Sequence, residues 1–519
     1  MSLHGELPEL AAAVLQPGFV GTSAPDWVRR WLGSGLGGVA LFARNVESPA
    51  QIAALTAQLR AENPDVIVAI DEEAGDVTRF ESRHGSSRPG NLALGAIDDP
   101  ELTEAVARDL GRELADAGIT LNYAPDADVN NNPGNPVIGV RSFGAEPHLV
   151  ARHTAAFLRG LQSAGVAGCA KHFPGHGDTS VDSHHDVPVI ARSLDELDAC
   201  ELVPFRAAIG AGARSVMTGH LVVPAYDPEL PATLSPRILT GLLRGELGFD
   251  GLIVTDGIEM RGVSRKYGLA GATVRALAAG ADAICVGGGY DDERTAIELR
   301  DAIVAAVRSG ELSEDRLRDA VDRVRALGAW TTARQRETGA RAVADAARTG
   351  VAVLGSTIGF AAARRAVLVT STPAGPALPL SGAPHVVEFA PERNIAIGSE
   401  TPWGIGAPLA ELLPGTTAVR FDEADLAGLA DPAGRVLAGG GERPLVLVVR
   451  DVHRHPWIAA VLAGVLHRRP DAIVVEMGIP VTVLGGVHIA THGATRALGR
   501  AAAEIIAGSP VPAPQPLAA

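Results

Sequence analysis

A (β/α)8 barrel followed by a smaller α/β sandwich domain is the α/β fold class that this sequence predicts, and three observations predict it. Short apolar runs alternate with amphipathic helical patterns from about residue 11 to 330. Eight such runs occur there, matching the strand number of that barrel. A second alternating region follows, and 519 residues are long enough for two domains.

The eight runs are 17–21, 37–42, 65–71, 119–125, 165–171, 214–220, 251–256 and 283–287. The clearest are Gly37-Gly38-Val39-Ala40-Leu41-Phe42 and Gly251-Leu252-Ile253-Val254-Thr255-Asp256. Continuous apolar runs suit strands buried on both faces. Helical patterns lie between them at 48–62, 99–117, 147–164 and 193–211. Ser48-Pro49 and Asp99-Pro100 read as helix starts, with a capping side chain before a first-turn proline. Helices at 291–309 and 313–327, and one ending near Thr349, close the barrel and lead onward. Beyond them, 366–370, 444–449 and 472–475 read as strands, with helices at 457–467 and 494–506. The predicted domains are a barrel at 1–335, a helical connector at 336–355, the sandwich at 356–508 and a proline-rich tail at 509–519.

Composition narrows the function. A hydrophobic fraction of 46% supplies large cores and argues against disorder. A net charge of −15 argues against a nucleic-acid partner, because phosphate contacts need a basic surface. The uncharged stretch 477–495 holds Pro480, His488, His492 and four glycines, so no membrane span is expected. Cys169, Cys200 and Cys285 match no disulfide framework and no zinc spacing. With no signal-peptide pattern at the start, a cytoplasmic location is expected. Only two lysines occur, Lys171 and Lys266, against 43 arginines. A lysine that persists under such a bias marks a place where arginine does not serve.

In such a barrel the working face lies at the C-terminal ends of the strands. Strand three ends in Asp71-Glu72-Glu73, strand six in Met217-Thr218-Gly219-His220 and strand seven in Thr255-Asp256-Gly257. A loop before the fourth helix carries Arg141-Ser142-Phe143-Gly144. The segment 171–188, KHFPGHGDTSVDSHHDVP, is densest in ionisable groups. One reading makes it a metal site, with His176 and Asp178 as ligands, although the spacing fits no standard zinc pattern. A second makes it an acid/base loop, in which His184 shuttles a proton and Asp182 orients its ring. A third leaves it a solvated polar loop. Asp256 is either a nucleophilic carboxylate or a cap for the following helix.

These residues resemble glycoside hydrolase family 3, in its β-N-acetylglucosaminidase branch. The specific motif is Lys171-His172-Phe173-Pro174-Gly175-His176-Gly177 followed by Asp182-Ser183-His184. Val254-Thr255-Asp256-Gly257-Ile258-Glu259-Met260 is similar to the family's nucleophile segment. Gly37–Asn45 and Arg141–Gly144 also fit, and 477–480 and 491–495 look like the second domain of longer members. The resemblance implies an exo-acting, retaining β-N-acetylglucosaminidase that removes terminal GlcNAc from cell-wall fragments or chitin oligosaccharides. Asp256 would be the nucleophile and His184 the acid/base, with Asp182 as its partner. Asp71, Arg79, Arg141, Lys171, His172 and His220 match positions that hold the −1 sugar. No cofactor and no metal are implied. A neutral histidine repels an anionic acceptor less than a carboxylate does, so phosphate is a possible acceptor, and phosphorolysis to GlcNAc 1-phosphate is the alternative. The strand-three segment departs from the family pattern. Ala74 and Asp76 stand where the family has glycine and arginine, which implies a more acidic loop there.

Overall fold

The computed structural model describes residues 3–179, 187–339, 355–392, 394, 396–398 and 400–508. Two compact units result. The first comprises Met1–Glu73, Asp99–Ile138 and Ser142–Val353; the second comprises Ala74–Asp98, Gly139–Arg141 and Leu354–Ala519. Segments 74–98 and 139–141, which the sequence reading gives to the barrel, thus count with the second unit. The connector's residues 340–354, with the helix end near Thr349, and the tail 509–519 lie outside the described residues.

The first unit is a curled parallel sheet with helices around it. Its strands are β1 (Leu15–Pro17), β2 (Gly38–Leu41), β3 (Ile67–Ile70), β4 (Leu121–Asn122), β5 (Ala167–Phe173), β6 (Ser215–Thr218), β7 (Leu252–Thr255) and β8 (Ile284–Val286). β2 to β7 pair in chain order, and β1 pairs with β8. A Val254–Ala283 bridge links β7 to the approach of β8, and β1 lies beside β2. Every strand residue is buried, which is why the runs read as continuously apolar. Ala40, Ile67, Ala69, Leu121, Tyr123, Cys169, Met217, Val254 and Cys285 belong to one buried cluster of the sheet.

Two boundaries differ from expectation. The first strand precedes the predicted 17–21, and Val20 is 66% exposed. Gln16 obscures this strand in the sequence, but it is buried and accepts a 2.6 Å hydrogen bond from the Tyr123 hydroxyl. The helix predicted at 313–327 runs instead over Glu314–Thr338. Val324 and Leu327 join the sheet cluster, and Gln335 Nε2 donates to Ile119 O at 2.7 Å, just before β4. The Gln335 contact lies in the extra turns and ties them to the approach of β4. The predicted caps are present. Ser48 Oγ accepts from Gln51 N at 3.2 Å, and Asp99 Oδ1 from Leu102 N at 3.0 Å. No helix among the described residues is long and apolar enough to cross a membrane.

The second unit holds a six-stranded sheet: β9 (Leu368–Ser371), β10 (His385–Phe389), β11 (Thr417–Phe421), β12 (Leu445–Val449), β13 (Ile473–Glu476) and β14 (Val487–Ala490). The order is β11-β10-β12-β13-β14-β9, with β9 antiparallel to β14 and all other pairs parallel. Val386, Val446, Val448, Ile473 and Val475 enter one core cluster; Val387, Leu445, Leu447, Val449 and Val474 enter another. Helices cover both faces, as an α/β sandwich requires. Ala93, from the helix Asn91–Ile97, packs with Ala363 and Ala366 in the first of these clusters. That apolar packing explains why 74–98 joins this unit. β10, β11 and β14 are not evident in the sequence. β11 is largely exposed, and β10 and β14 carry buried Glu388 and His488.

Candidate active site

β7 delivers Asp256 at its C-terminal end. The Asp256 N–H donates to Thr218 O on β6 at 3.2 Å, and its Oδ1 accepts from Gly257 N at 2.8 Å. The side chain is half-buried. The next helix starts at Arg261, and its cap position, Met260, makes no side-chain cap bond. Asp256 is therefore not that helix's cap. His220, fully buried after β6, places a ring nitrogen on the adjoining backbone: Nε2 lies 2.9 Å from Gly257 O, and Nδ1 lies 2.8 Å from Thr233 Oγ1. In the neutral tautomer with Nε2–H, the ring donates to Gly257 and accepts from Thr233. His220 thus anchors the residue that follows Asp256.

β5 delivers Lys171. Its Nζ lies 2.5 Å from Asp71 Oδ1 and 2.7 Å from Glu73 Oε1, and the side chain is 2% exposed. A compact ammonium with three donors can serve both carboxylates on so small a footprint. Asp71 remains a quarter exposed, whereas Glu73 is buried. Glu73 was not singled out in the sequence, although it shares the acidic strand end with Asp71.

Asp128, just beyond β4, organises the next part. It is wholly buried and accepts from His172 N at 3.1 Å, His172 Nδ1 at 2.7 Å and His176 N at 2.7 Å. Burial raises its pKa, but the His172 and His176 interactions outweigh burial and hold the carboxyl below its usual range. With Nδ1 donating to Asp128, a neutral His172 carries its lone pair on Nε2. Asn135 Nδ2 donates to the carbonyls of His176 and Gly177 at 2.9 and 3.0 Å, fixing the backbone after β5. Neither Asp128 nor Asn135 stood out in the sequence. The signal available was Asp126-Ala127-Asp128 directly after an apolar run.

The metal reading of His176 and Asp178 finds both groups engaged elsewhere. His176 Nδ1 meets Thr179 Oγ1 at 2.8 Å, and Asp178 Oδ2 accepts from Arg192 Nε at 2.7 Å. Among the described residues, Asp126, Asp128 and His172 form a buried group whose ligand atoms lie within 4.8 Å of one another. A cation there would compete with the His172–Asp128 hydrogen bond.

Arg79 and Arg141 belong to the second unit. Arg79 Nη2 donates to Ala396 O at 3.0 Å. Arg141 ends a short turn, Gly139–Arg141, and its carbonyl accepts from Asn91 Nδ2 at 2.6 Å. Asp76 is not the free acidic charge that the sequence suggested. It is buried, ion-paired with Arg450, and accepts from Ala494 N at 2.8 Å. Asp182 and His184 lie outside the described residues.

Residues 22–327 match the glycosyl hydrolase family 3 N-terminal domain. The chain belongs to glycosyl hydrolase family 3. A solved family 3 β-N-acetylglucosaminidase from Paenibacillus sp. str. FPU-7 is 34% identical, with a TM-score of 0.79 over 99% of each chain. The β-hexosaminidase of Stenotrophomonas maltophilia (strain K279a) is 39% identical over 277 residues, covering 52% of this chain and 82% of that protein. β-Hexosaminidase A of Pseudoalteromonas piscicida is 39% identical over 268 residues, 48% of this chain. The match spans 45% of that longer relative. The branch read from the Lys171–Gly177 motif is the one these relatives' names carry.

Proposed function

We propose that this family 3 protein is an exo-acting, retaining β-N-acetylglucosaminidase acting on cell-wall fragments or chitin oligosaccharides. The observation that carries the reading is the half-buried Asp256 carboxylate at the end of β7, with Gly257 beside it anchored by His220. The relatives' names support the sugar specificity.

In this mechanism Asp256 attacks the anomeric carbon while His184 protonates the departing glycosidic oxygen. The resulting glycosyl ester is then opened by water, which gives its proton to His184. Asp182 orients the His184 ring. Asp71 accepts hydrogen bonds from sugar hydroxyls, and Lys171 holds its carboxylate in place. His172, with its Nδ1–H committed to Asp128, offers Nε2 to another hydroxyl. His220 contributes by holding the nucleophile segment.

The test is covalent trapping. A slow 5-fluoro-GlcNAc donor should add one sugar to the wild-type protein, and peptide mapping should place it on Asp256. Asp256→Ala should abolish turnover and labelling together. A label on another carboxylate overturns the assignment. Running the nitrophenyl β-GlcNAc assay with millimolar phosphate separates the acceptors. GlcNAc 1-phosphate as the main product would replace hydrolysis by phosphorolysis.

A further inference from the structure

The chain between Asp178 and Arg192 carries Asp182 and His184, and the described residues at its two ends are tied to each other. At the entry, Gly177 sits against the backbone of Val129: a Cβ there would lie 1.8 Å from Val129 O. Thr179, also buried, receives Asn135 Nδ2 at 3.3 Å. At the exit, Ile190 N donates to Val222 O and Val222 N to Pro188 O, each at 2.9 Å, so this end is stitched beyond β6. A side chain then spans the two ends. Arg192 Nε lies 2.7 Å from Asp178 Oδ2 and 3.3 Å from Glu201 Oε1.

The geometry of this contact favours a real constraint. Arg192 and Asp178 are each only about a quarter exposed, so water and salt screen the pair less than a surface pair. Glu201 is 1% exposed, and its Oε2 has no hydrogen-bond partner among the described residues. Burial raises the Glu201 pKa, and the Arg192 charge works against that rise. Without Arg192, Glu201 would lose the cation that pairs with this buried acid. The side chain of Glu201 also packs against Gly175, where an added Cβ would come within 2.8 Å of Glu201 Cβ. The guanidinium thus links Asp178, before the segment, to Glu201 and to its own backbone after it.

We propose that Arg192 is a positioning residue for the acid/base step, acting through Asp178 and Glu201 rather than by touching the sugar. This rests on His184 being the acid/base residue. General acid–base catalysis contributes typically about 10²–10⁴-fold. Loosening its support should forfeit part of that, about ten- to a hundredfold in kcat, with KM little changed.

The experiment compares Arg192→Gln and Asp178→Asn with His184→Ala and wild type on two donors. One is chitobiose, whose leaving group needs protonation. The other is a dinitrophenyl β-GlcNAc, whose leaving group departs unaided. Azide is the probe for the second step. It attacks the anomeric carbon of the Asp256 ester, forming a C–N bond as the ester C–O bond breaks, and needs no base. Arg192→Gln should lose activity mainly on chitobiose, and azide should restore turnover of the activated donor with formation of the glycosyl azide. Asp178→Asn should reproduce this, and the double variant should be no worse than either. Melting temperatures show whether each variant is folded. If His184→Ala shows the leaving-group and azide pattern while both folded clasp variants match wild type, the clasp proposal is overturned. If His184→Ala lacks the pattern, the acid/base reading itself fails, whatever Arg192 does. A uniform loss on both donors, without azide rescue, assigns Arg192 a purely structural role and also overturns the proposal.

Discussion

Replacing Asp128 by asparagine changes one atom in a wholly buried group that accepts three hydrogen bonds. The side-chain carbonyl can still serve the backbone N–H groups of His172 and His176. The new NH2 then faces His172 Nδ1, where two donors cannot meet. The ring must move its proton to Nε2, so the nitrogen that offers a lone pair to the sugar becomes a donor. A hydrogen bond between neutral groups contributes about 0.5–1.5 kcal/mol. Losing one in the transition state lowers kcat/KM about 2–13-fold. The assay is kcat/KM on nitrophenyl β-GlcNAc, paired with nitrogen NMR of labelled histidines to read the His172 tautomer. The depressed Asp128 pKa adds a second signature. Its stabilisation is present above the unfolded value near 3.8 and is lost as pH falls through the lower folded value. The variant should therefore lose part of the wild type's acid-side stability profile. An unchanged tautomer with kcat/KM within about twofold of wild type would refute the reasoning.

Lys171→Arg should fold but lose about 1.5–3 kcal/mol of transition-state binding, read as kcat/KM, because a forked guanidinium does not fit where one ammonium meets both Asp71 and Glu73. Wild-type kinetics in this variant would show that the lysine is only a relic of composition. Gly177→Ala should destabilise the first unit by about 1–3 kcal/mol in calorimetry, since its methyl would overlap Val129 O. In the second unit, burial and then the Asp451 charge push the Glu476 carboxyl up to about 7. The neutral acid's contribution is complete below the ordinary 4.5 and is lost as pH rises through about 7, a difference worth about 3 kcal/mol. Glu476→Gln keeps an acceptor for the N–H groups of Asp451 and Gly478, so its calorimetric transition should be flat between those pH values where wild type declines. A parallel decline in both proteins would contradict this.

The strand count, the helix caps at Ser48 and Asp99, and the positions of Asp71, Lys171 and Asp256 were legible in the sequence. Local physics writes these: strands buried on both faces must be apolar, so an acid or a lysine at their ends stands out. Glu73, Asp128, Asn135 and Arg192 did not stand out, because each acts on partners brought near by folding and looks locally like any loop residue. Gln16 and Glu388 hid strands for the same reason: Gln16 Oε1 accepts from Tyr123, and the Glu388 carboxylate accepts from the 405–406 backbone and Arg420. Asp76 was misleading in sequence because its charge is cancelled by Arg450, 374 residues away. The rarity of lysine also pointed to Lys171. Only the tertiary structure decided why it must be lysine: one small, buried cation on β5 meets both carboxylates that follow β3.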